Sequence, residues 1–504
     1  MLCAPFAAGC APVVLLFAAL LLAGCQQNAF KSNEFDPLEI FSSADNRRYR
    51  LERVEKKPGN HSWIDKTTLR YYPHAIYEVA REDDSFFYVK QYLPVTVTPV
   101  TAGRPPEARS LPVSGHFVWR AYDQGLPRGQ QWRDNFAIAD MNGDGHADLV
   151  FPPPRKTLAA PVIFLGDGNG TWARWTKAKF PAIAFDYGGA AVSDFNGDRK
   201  QGIALGMHLL GVAALLGDGQ GGFTNLSDGL PVQQRGARPP LSSRKLVALD
   251  WDGDGRKDII VLNERIGADR ATTFRDGVIV FLNREGSWAV SPSEEPLSDA
   301  RLMAIDKTAT RLVVTSDSIR SGTLVLQERI AGRWVKHEVS GFPADVQVTA
   351  LAVADPTNDG ASTFVVAYQS RFQSTWWSHI DVLRKRDGQW IRVQLAAARS
   401  SAEIRGLAFG KFRPGASLDV IALDDQGQLD VFRHSDGETY TRDSSYPVPA
   451  WRAGCQGYGL QTGDLDRDGL DEIVASFAGE GTALSKTIDC ASGGAIQAFK
   501  LVAR

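Results

Sequence analysis

Three short acidic segments in this 504-residue chain carry oxygen-bearing side chains at alternating positions. They begin at Asp140, Asp250 and Asp464, and each follows the pattern D-x-[DN]-x-D-G-x-x-[DE]. Alternating oxygen ligands beside a glycine that permits a sharp turn suit calcium. We predict that positions 1, 3, 5 and 9 bind Ca²⁺ through side chains and position 7 through its carbonyl oxygen. In chain order the expected ligands are Asp140, Asn142, Asp144, His146, Asp148, Asp250, Asp252, Asp254, Arg256, Asp258, Asp464, Asp466, Asp468, Leu470 and Glu472.

An EF-hand and a metal-free turn are the two alternatives to such a calcium loop. An EF-hand has glutamate at position 12, which is Phe151, Val261 or Ala475 here, so we reject the EF-hand. A metal-free hairpin turn rich in Asn, Gly and Asp is the simpler alternative. However, carboxylates ~4 Å apart repel by roughly 4 kcal/mol per pair at an effective dielectric constant of 20, which favours a bound cation.

Weaker copies of the acidic pattern begin at Asp194, Asp306, Asp355 and Lys411, so that seven starts are spaced 49 to 56 residues apart. The copies at Asp194 and Asp355 lack the acidic residue at position 9, which makes calcium binding there less favoured. The copy at Asp306 is shortened and is expected to be free of metal. In the sixth copy Lys411 takes position 1, and we expect its ammonium group to stand in for the metal.

The residues that follow each acidic loop predict how the loop is positioned. An apolar run, a glycine-containing turn and an aromatic residue recur, as in VIFLGDGNGTW and VIVFLNREGSW. Four short strands per unit of about 50 residues are typical of a propeller blade. The seventh unit lacks one strand, and the segment from Phe117 to Tyr122 resembles the fourth strand of the second unit. We therefore predict an all-β fold: a seven-bladed β-propeller of four-stranded blades over residues 112–504, closed by that segment, with a small N-terminal β-rich module.

The repeated motifs resemble the FG-GAP/VCBS repeat family, which is found in integrin α-subunit heads and in many bacterial surface proteins. The resemblance covers residues 112–504, and the three complete acidic loops carry it most specifically. It implies a seven-bladed propeller with calcium in the complete loops.

The first residues predict an exported, lipid-anchored protein. An apolar run from Val13 to Leu22 is too short to span a bilayer and suits a signal peptide over residues 1–24. The sequence Leu22-Ala23-Gly24-Cys25 resembles the bacterial lipobox, which implies lipidation of Cys25. The location implied is the bacterial cell envelope, with the outer membrane favoured. The alternative is an ordinary secretory signal followed by an incidental cysteine.

Between the leader and the propeller we expect three segments. Residues 25–47 are polar and suit a tether, residues 48–100 alternate like strands, and residues 101–111 are a Pro-rich linker. Once the leader is removed and Cys25 is modified, Cys455 and Cys490 remain. In an exported chain this pair suits a disulfide, with two free buried thiols as the alternative.

The two ends of each blade are expected to differ. The loop between strands one and two lies on what we call the acidic-loop face, and the loop between strands two and three lies on the opposite, long-loop face. The predicted long loops run from Asn263 to Gly277 and from Tyr368 to His379, and they are rich in Arg and aromatic residues that suit a protein or glycan partner. The candidate partner-binding residues are Arg265, Arg270, Arg275, Tyr368, Arg371, Trp376, Trp377 and Trp451. The alternative is that the tryptophans pack between blades and the arginines are solvated.

The charge balance and the sequence motifs also limit the classes of function. The 56 Lys and Arg residues against 58 Asp and Glu residues give no basic surplus for nucleic-acid binding. A GxSxG nucleophile motif is absent from the sequence, so a non-catalytic binding protein is our leading interpretation and catalysis is less favoured. The alternative is a lyase or other enzyme acting on acidic polysaccharide, in which Tyr368, His208 and Arg371 would act on a uronate.

Overall fold

The structure is a computed structural model with two compact units, Met1–Ser110 and Leu111–Arg504, which are described separately. The described residues of the first unit are 39–42, 47–55, 64–65, 68–71, 75–82 and 86–92. Those of the second are 117–133, 135–157, 159–232, 240–264, 274–292, 294–356, 359–372, 375–399, 402–415, 417–434, 440–442, 455–479 and 493–503. Within these ranges no helix is long and apolar enough to cross a membrane.

The first unit contains one antiparallel sheet of six strands in the order β1-β2-β6-β5-β4-β3. The strands are β1 (Glu39–Ser42), β2 (Arg47–Glu55), β3 (Ile64–Asp65), β4 (Thr68–Tyr71), β5 (Ala75–Glu82) and β6 (Phe86–Tyr92). The first strand lies within residues 25–47, so this part of the predicted tether belongs to the sheet.

The second unit is a seven-bladed β-propeller, as predicted, and blades 1 to 3 follow one another along the chain. Blade 1 contains β8 (Ala137–Ala139), β9 (Asp148–Phe151), β10 (Val162–Gly166) and β11 (Trp172–Arg174). Blade 2 contains β12 (Gly188–Ser193), β13 (Gly202–Met207), β14 (Gly211–Gly217) and β15 (Phe223–Asn225). Blade 3 contains β16 (Lys245–Leu249), β17 (Asp258–Asn263), β18 (Gly277–Asn283) and β19 (Trp288–Val290), and the short helix α1 (Glu295–Ser298) follows it.

Blades 4 to 7 complete the ring. Blade 4 contains β20 (Leu302–Ile305), β21 (Arg311–Thr315), β23 (Thr323–Ile330) and β24 (Arg333–Ser340). Blade 5 contains β25 (Val346–Ala354), β26 (Thr363–Phe372), β27 (Thr375–Arg386) and β28 (Gln389–Arg399), and β22 (Ser318–Ile319) pairs with its first strand. Blade 6 contains β29 (Ile404–Gly410), β30 (Asp419–Asp424), β31 (Leu429–His434) and β32 (Tyr440–Arg442). Blade 7 contains β33 (Gln456–Gly463), β34 (Glu472–Ala478), β35 (Gly494–Ala503) and β7 (Phe117–Ala121).

Strand β7 closes the ring by pairing with the third strand of the last blade. Phe499 pairs with Ala121 and Ala503 with Phe117 in antiparallel register. The prediction that the segment from Phe117 completes blade 7 is therefore confirmed. This pairing covers the edge of β35 and ties the first part of the propeller to its last part.

A hydrophobic core lies between each pair of neighbouring blades, which explains the composition of the middle strands. All six residues of β17 are buried, because both faces of the blade are covered. The core that joins the last blade to the first brings Leu465 and Val474 together with Phe151 and Phe164. Truncating one of these buried phenylalanines to alanine typically costs about 3–5 kcal/mol.

Candidate metal loops and the long-loop face

The acidic loops share one backbone geometry. In the three complete loops the carboxylate at position 1 accepts a hydrogen bond from the N–H of position 6, over 2.8 Å at Asp140 and 3.0 Å at Asp250 and Asp464. The same bond forms over 2.8 Å at Asp194 and at Asp355. The weaker second and fifth copies of the repeat therefore keep this hydrogen bond.

The first and third loops offer donor sets that fit calcium. In the third, one carboxylate oxygen from each of Asp250, Asp252 and Asp254 lies within 4.8 Å of the others. In the first, the side-chain amide of Asn142 donates to Asp144 over 2.8 Å, which holds positions 3 and 5 together. These are oxygen ligands on a tight turn, which is the coordination that calcium prefers.

The residue at position 9, a predicted ligand, also accepts backbone hydrogen bonds. Asp148 is buried and accepts the backbone N–H groups of Met141 and Gly166 over 2.8 and 3.0 Å. Asp258 accepts those of Trp251 and Asn283 over 2.6 and 2.7 Å. Both oxygens of each carboxylate thus join the acidic loop to the third strand. Burial raises the pKa of Asp148 to about 6, although its hydrogen bonds act to lower it.

In the seventh loop one carboxylate oxygen from each of Asp464, Asp466 and Glu472 lies within 4.8 Å of the others, and a cation of the chain itself lies among them. The Lys500 ammonium group is hydrogen-bonded to Asp466, lies 2.7 Å from Asp468 and lies 3.3 Å from Glu472. Its side chain is 15% exposed. The carboxylates at positions 3, 5 and 9 therefore already have a cationic partner. Sequence reasoning missed Lys500 because it lies about 30 residues beyond the acidic motif.

Basic side chains also occupy the two incomplete loops that follow blade 4. The Arg311 guanidinium lies 3.0 Å from Asp355, and the Arg413 guanidinium lies 3.0 Å from Asp419. The expectation that Lys411 would replace the metal in the sixth loop is wrong in its residue, because Lys411 is exposed and Arg413 makes the contact. The sequence predicted that a basic side chain would take the place of the metal, but it predicted the wrong residue.

The predicted long loop of blade 5 is a continuous β-hairpin. Strand β26 extends to Phe372 and strand β27 begins at Thr375, and Arg371 of the first pairs with Trp376 of the second. Trp376 is 39% exposed, and the Arg371 guanidinium lies 5.7 Å from the centre of its ring. Trp377 is half-buried. The arginine and the exposed tryptophan therefore form one surface pair on the long-loop face.

Tyr368 does not belong to that surface. Its side chain is 1% exposed and stacks on His379 with a ring-centre distance of 4.6 Å. Arg392 donates to the tyrosine hydroxyl over 3.0 Å and lies 2.7 Å from the buried carboxylate of Asp381. The prediction that Tyr368 binds a partner is therefore wrong. The residue lies within a strand and not in a loop, and its side chain packs against blade 4.

The residues proposed for lyase chemistry do not form one site. His208 stacks on Tyr187 in blade 2 at 4.7 Å, whereas Tyr368 lies in blade 5 with His379 and Arg392 as its neighbours. The remaining candidate, Arg371, contacts Trp376. A general base and a uronate-binding arginine are therefore not brought together by these three residues.

A second group of residues lies where the first strands begin. Arg133 is buried, with its guanidinium 4.6 Å from the centre of the Tyr458 ring and 5.8 Å from that of Tyr187. Arg405 lies 5.2 Å from the Tyr458 ring. Burial lowers the pKa of Lys245, the first residue of β16, to about 8. No repeated motif marks Arg133, Arg405 or Lys245, so nothing in the sequence pattern pointed to them.

Several candidates can be placed only in part. Arg275 is exposed. Cys455 is buried and disulfide-bonded. The predicted residues Cys25, Arg265, Arg270, Trp451 and Cys490 lie outside the described residues.

Comparisons with known proteins find distant likenesses among solved structures. No family model and no curated protein matches the chain, so the FG-GAP/VCBS resemblance stays a prediction. Among solved structures, YCF48 bound to D1 peptide is 13% identical, with a TM-score of 0.42 over 75% of this chain and 96% of that chain. The Dos1 propeller is 9% identical, with a TM-score of 0.42 over 76% and 95%. The Pseudomonas aeruginosa periplasmic gluconolactonase PpgL is 14% identical, with a TM-score of 0.40 over 62% and 84%.

Proposed function

We propose that this protein is a calcium-stabilised lipoprotein of the bacterial envelope whose propeller binds a protein partner without catalysis. The pair of Arg371 and Trp376 on the blade 5 hairpin carries the proposal. Tryptophan and arginine are the residues most enriched where binding energy concentrates in protein interfaces. Here they project from long paired strands, which provide a rigid support.

Calcium has a structural role in this proposal. Asp140, Asn142 and Asp144 would hold one ion, and Asp250, Asp252 and Asp254 another. At millimolar calcium and a dissociation constant of ~10⁻⁴ M, each ion would add roughly 1.4 kcal/mol to the free energy of unfolding. Two ions would add ~3 kcal/mol, which is a large part of a typical net stability.

The proposed lipid anchor is supported by the sequence motif alone. Lipidation at Cys25 would attach the chain to the membrane, and the predicted location is the outer membrane. Acyl chains in combination hold a protein far more firmly than one chain does. Radiolabelled palmitate incorporated into the wild-type chain but not into Cys25→Ala would support this part, and equal labelling of both would contradict it.

A photo-crosslinking residue at position 376 tests the binding role in cells. A matched control carries the crosslinker at Val290, an exposed apolar residue of blade 3. We expect a discrete adduct from position 376 that is lost when Arg371 is changed to Ala, and none from position 290. Equal adducts at both positions would contradict the proposal.

The glycan and enzyme alternatives are tested on the purified chain of residues 26–504. If the chain binds a glycan on an array and Trp376→Ala abolishes that binding, the partner is a glycan and not a protein. Unsaturated product in a uronate-lyase absorbance assay would establish the enzyme instead. Because Tyr368 is buried and His208 lies in another blade, we do not expect a lyase product.

A further inference from the structure

Six blades carry a comparable residue on the third strand, directly across from position 9 of the acidic loop. The register pairs Thr363 with Arg384 in blade 5, and neighbouring pairs such as Ile473 with Phe499 fix the equivalent residue elsewhere. We call this the facing position. Its residues are Leu165, Leu216, Leu282, Arg384, Arg433 and Lys500 in blades 1, 2, 3, 5, 6 and 7.

The facing position divides the ring into two parts. Blades 1 to 3 have leucine there, whereas blades 5 to 7 have a basic residue. In two of these blades the basic group reaches back to the acidic loop of its own blade: Lys500 lies 2.7 Å from Asp468, and Arg384 lies 3.4 Å from Asp359. Both of these aspartates are at position 5, so the two blades use the same contact.

We propose that, where the ligand pattern of an acidic loop is complete, the facing residue decides whether the loop takes calcium or a cation of the chain, and that the seventh loop therefore takes no calcium. This inference rests on the proposed calcium binding of loops 1 and 3. The seventh loop distinguishes this proposal from an assignment by motif. Its ligand pattern is complete, so the motif alone would predict a bound calcium ion there. Lys500 contacts positions 3, 5 and 9 there.

The third loop shows why a nearby basic residue alone is insufficient. Arg256, whose side chain is 32% exposed, is hydrogen-bonded to Asp254. Arg284 lies 2.9 Å from Asp252 and 3.2 Å from Asp254, and its side chain is 39% exposed. It follows the end of β18 and can turn toward solvent when an ion binds. Lys500 lies within β35 and is 15% exposed, so its ammonium group is held among the carboxylates. Displacing it would leave a largely buried charge without its partners.

Calcium bound per chain, measured by equilibrium dialysis on residues 26–504, tests the proposal. We expect Asp252→Asn with Asp254→Asn to lose one ion, and Asp466→Asn with Asp468→Asn to lose none. Lys500→Leu, which installs the residue of blades 1 to 3, should gain one ion, and adding Asp466→Asn and Asp468→Asn to it should remove that ion again. Leu165→Lys should lose one ion, and Lys336→Leu, a change of an exposed lysine on β24, should leave the number unchanged.

Loss of an ion from the wild-type background on changing Asp466 and Asp468 would overturn the proposal. So would a folded Lys500→Leu variant that binds no additional calcium. If Lys500→Leu fails to fold, the wild-type comparison still decides. A wild type that binds no calcium would overturn the calcium role of loops 1 and 3, whereas a wild type that binds calcium and loses one ion on changing Asp466 and Asp468 would overturn only the facing-position rule.

Discussion

The ammonium group of Lys307 lies 2.6 Å from Oδ2 of Asp471, although the two residues belong to blades 4 and 7. The same oxygen accepts the backbone N–H of Lys411 over 2.6 Å. Since blades 5 and 6 separate blades 4 and 7 along the ring, the ion pair crosses the ring axis on the acidic-loop face.

This cross-axis pair should contribute to stability. Asp471 is 12% exposed and Lys307 is 43% exposed, so solvent screens the pair only in part. We expect a double-mutant cycle of Lys307→Met and Asp471→Asn to give a coupling energy of about 1 kcal/mol in chemical denaturation. The pair Lys336 and Glu338 is a matched control, with the same separation of 2.6 Å but exposures of 55% and 58%. Equal coupling in both cycles would contradict a role for the axis contact.

Position 9 should stabilise the fold without calcium. Asp148→Ala leaves two buried N–H groups without their acceptor, which we expect to cost roughly 2–5 kcal/mol even in a chelator. Asp140→Ala removes a partly exposed acceptor that water can replace, so its cost in the chelator should be below about 1 kcal/mol. Urea unfolding with EDTA checks this difference, and similar losses in both variants would refute it.

The second acidic loop should gain stability from a glycine. Arg199 has a φ of 65°, in the left-handed region, where the three complete loops have Gly145, Gly255 and Gly469. Arg199→Gly removes a steric cost of roughly 1–2 kcal/mol, and the greater freedom of the unfolded chain offsets part of it. We expect a net gain of about 0.5 kcal/mol in denaturation with EDTA. Lys200→Gly, at the adjacent position, should instead lose stability. A loss of stability in both variants would contradict backbone strain at Arg199.

Stability should depend on the charge of Asp424 at the end of β30. Burial raises its pKa from 3.8 to about 6, with Asp425 and Asp430 adding to the rise and two backbone N–H groups opposing it. Because the folded state binds the proton more tightly than the unfolded chain, this group stabilises the fold least above pH ~6. Stability is lost as pH rises from ~4 to ~6.

Asp424→Asn should remove this dependence, since its Oδ1 can still accept from Gln426 and Gln428. We expect the variant to be more stable than the wild type by roughly 1–2 kcal/mol at pH ~7.5 and by little at pH ~4.5. Urea midpoints across this range are the measurement. A difference that does not change with pH would contradict the raised pKa.

The sequence predicted the propeller well because a blade is a local unit with a local signature. The acidic turn, the apolar strands and the aromatic residue all lie within about 50 residues, and the closing strand at Phe117 repeats the pattern of blade 2. The hairpin of blade 5 was misread as a loop because Arg371 and Ser378 interrupt its apolar pattern. Pairing with β25 and β28 decides its structure.

Contacts between distant parts of the chain could not be predicted in the same way. Lys500 belongs to the seventh loop only because β35 lies beside β34, and Lys307 reaches Asp471 only once the ring has closed. Spacing placed position 9 beside the acidic turn, but it could not show that backbone N–H groups of the loop and of the third strand bond to its buried carboxylate. Motif spacing predicts which residues share a turn, and the tertiary structure decides which charges they face.

Thermal unfolding of residues 26–504 with 1 mM calcium and with excess EDTA tests the central claim most directly. Two ions that bind the folded chain should raise the melting temperature by several degrees in calcium, in line with ~3 kcal/mol of added stability. Magnesium at the same concentration should produce a smaller rise, because it prefers a stricter octahedral geometry. Identical melting curves in calcium and in EDTA would contradict a calcium-stabilised propeller.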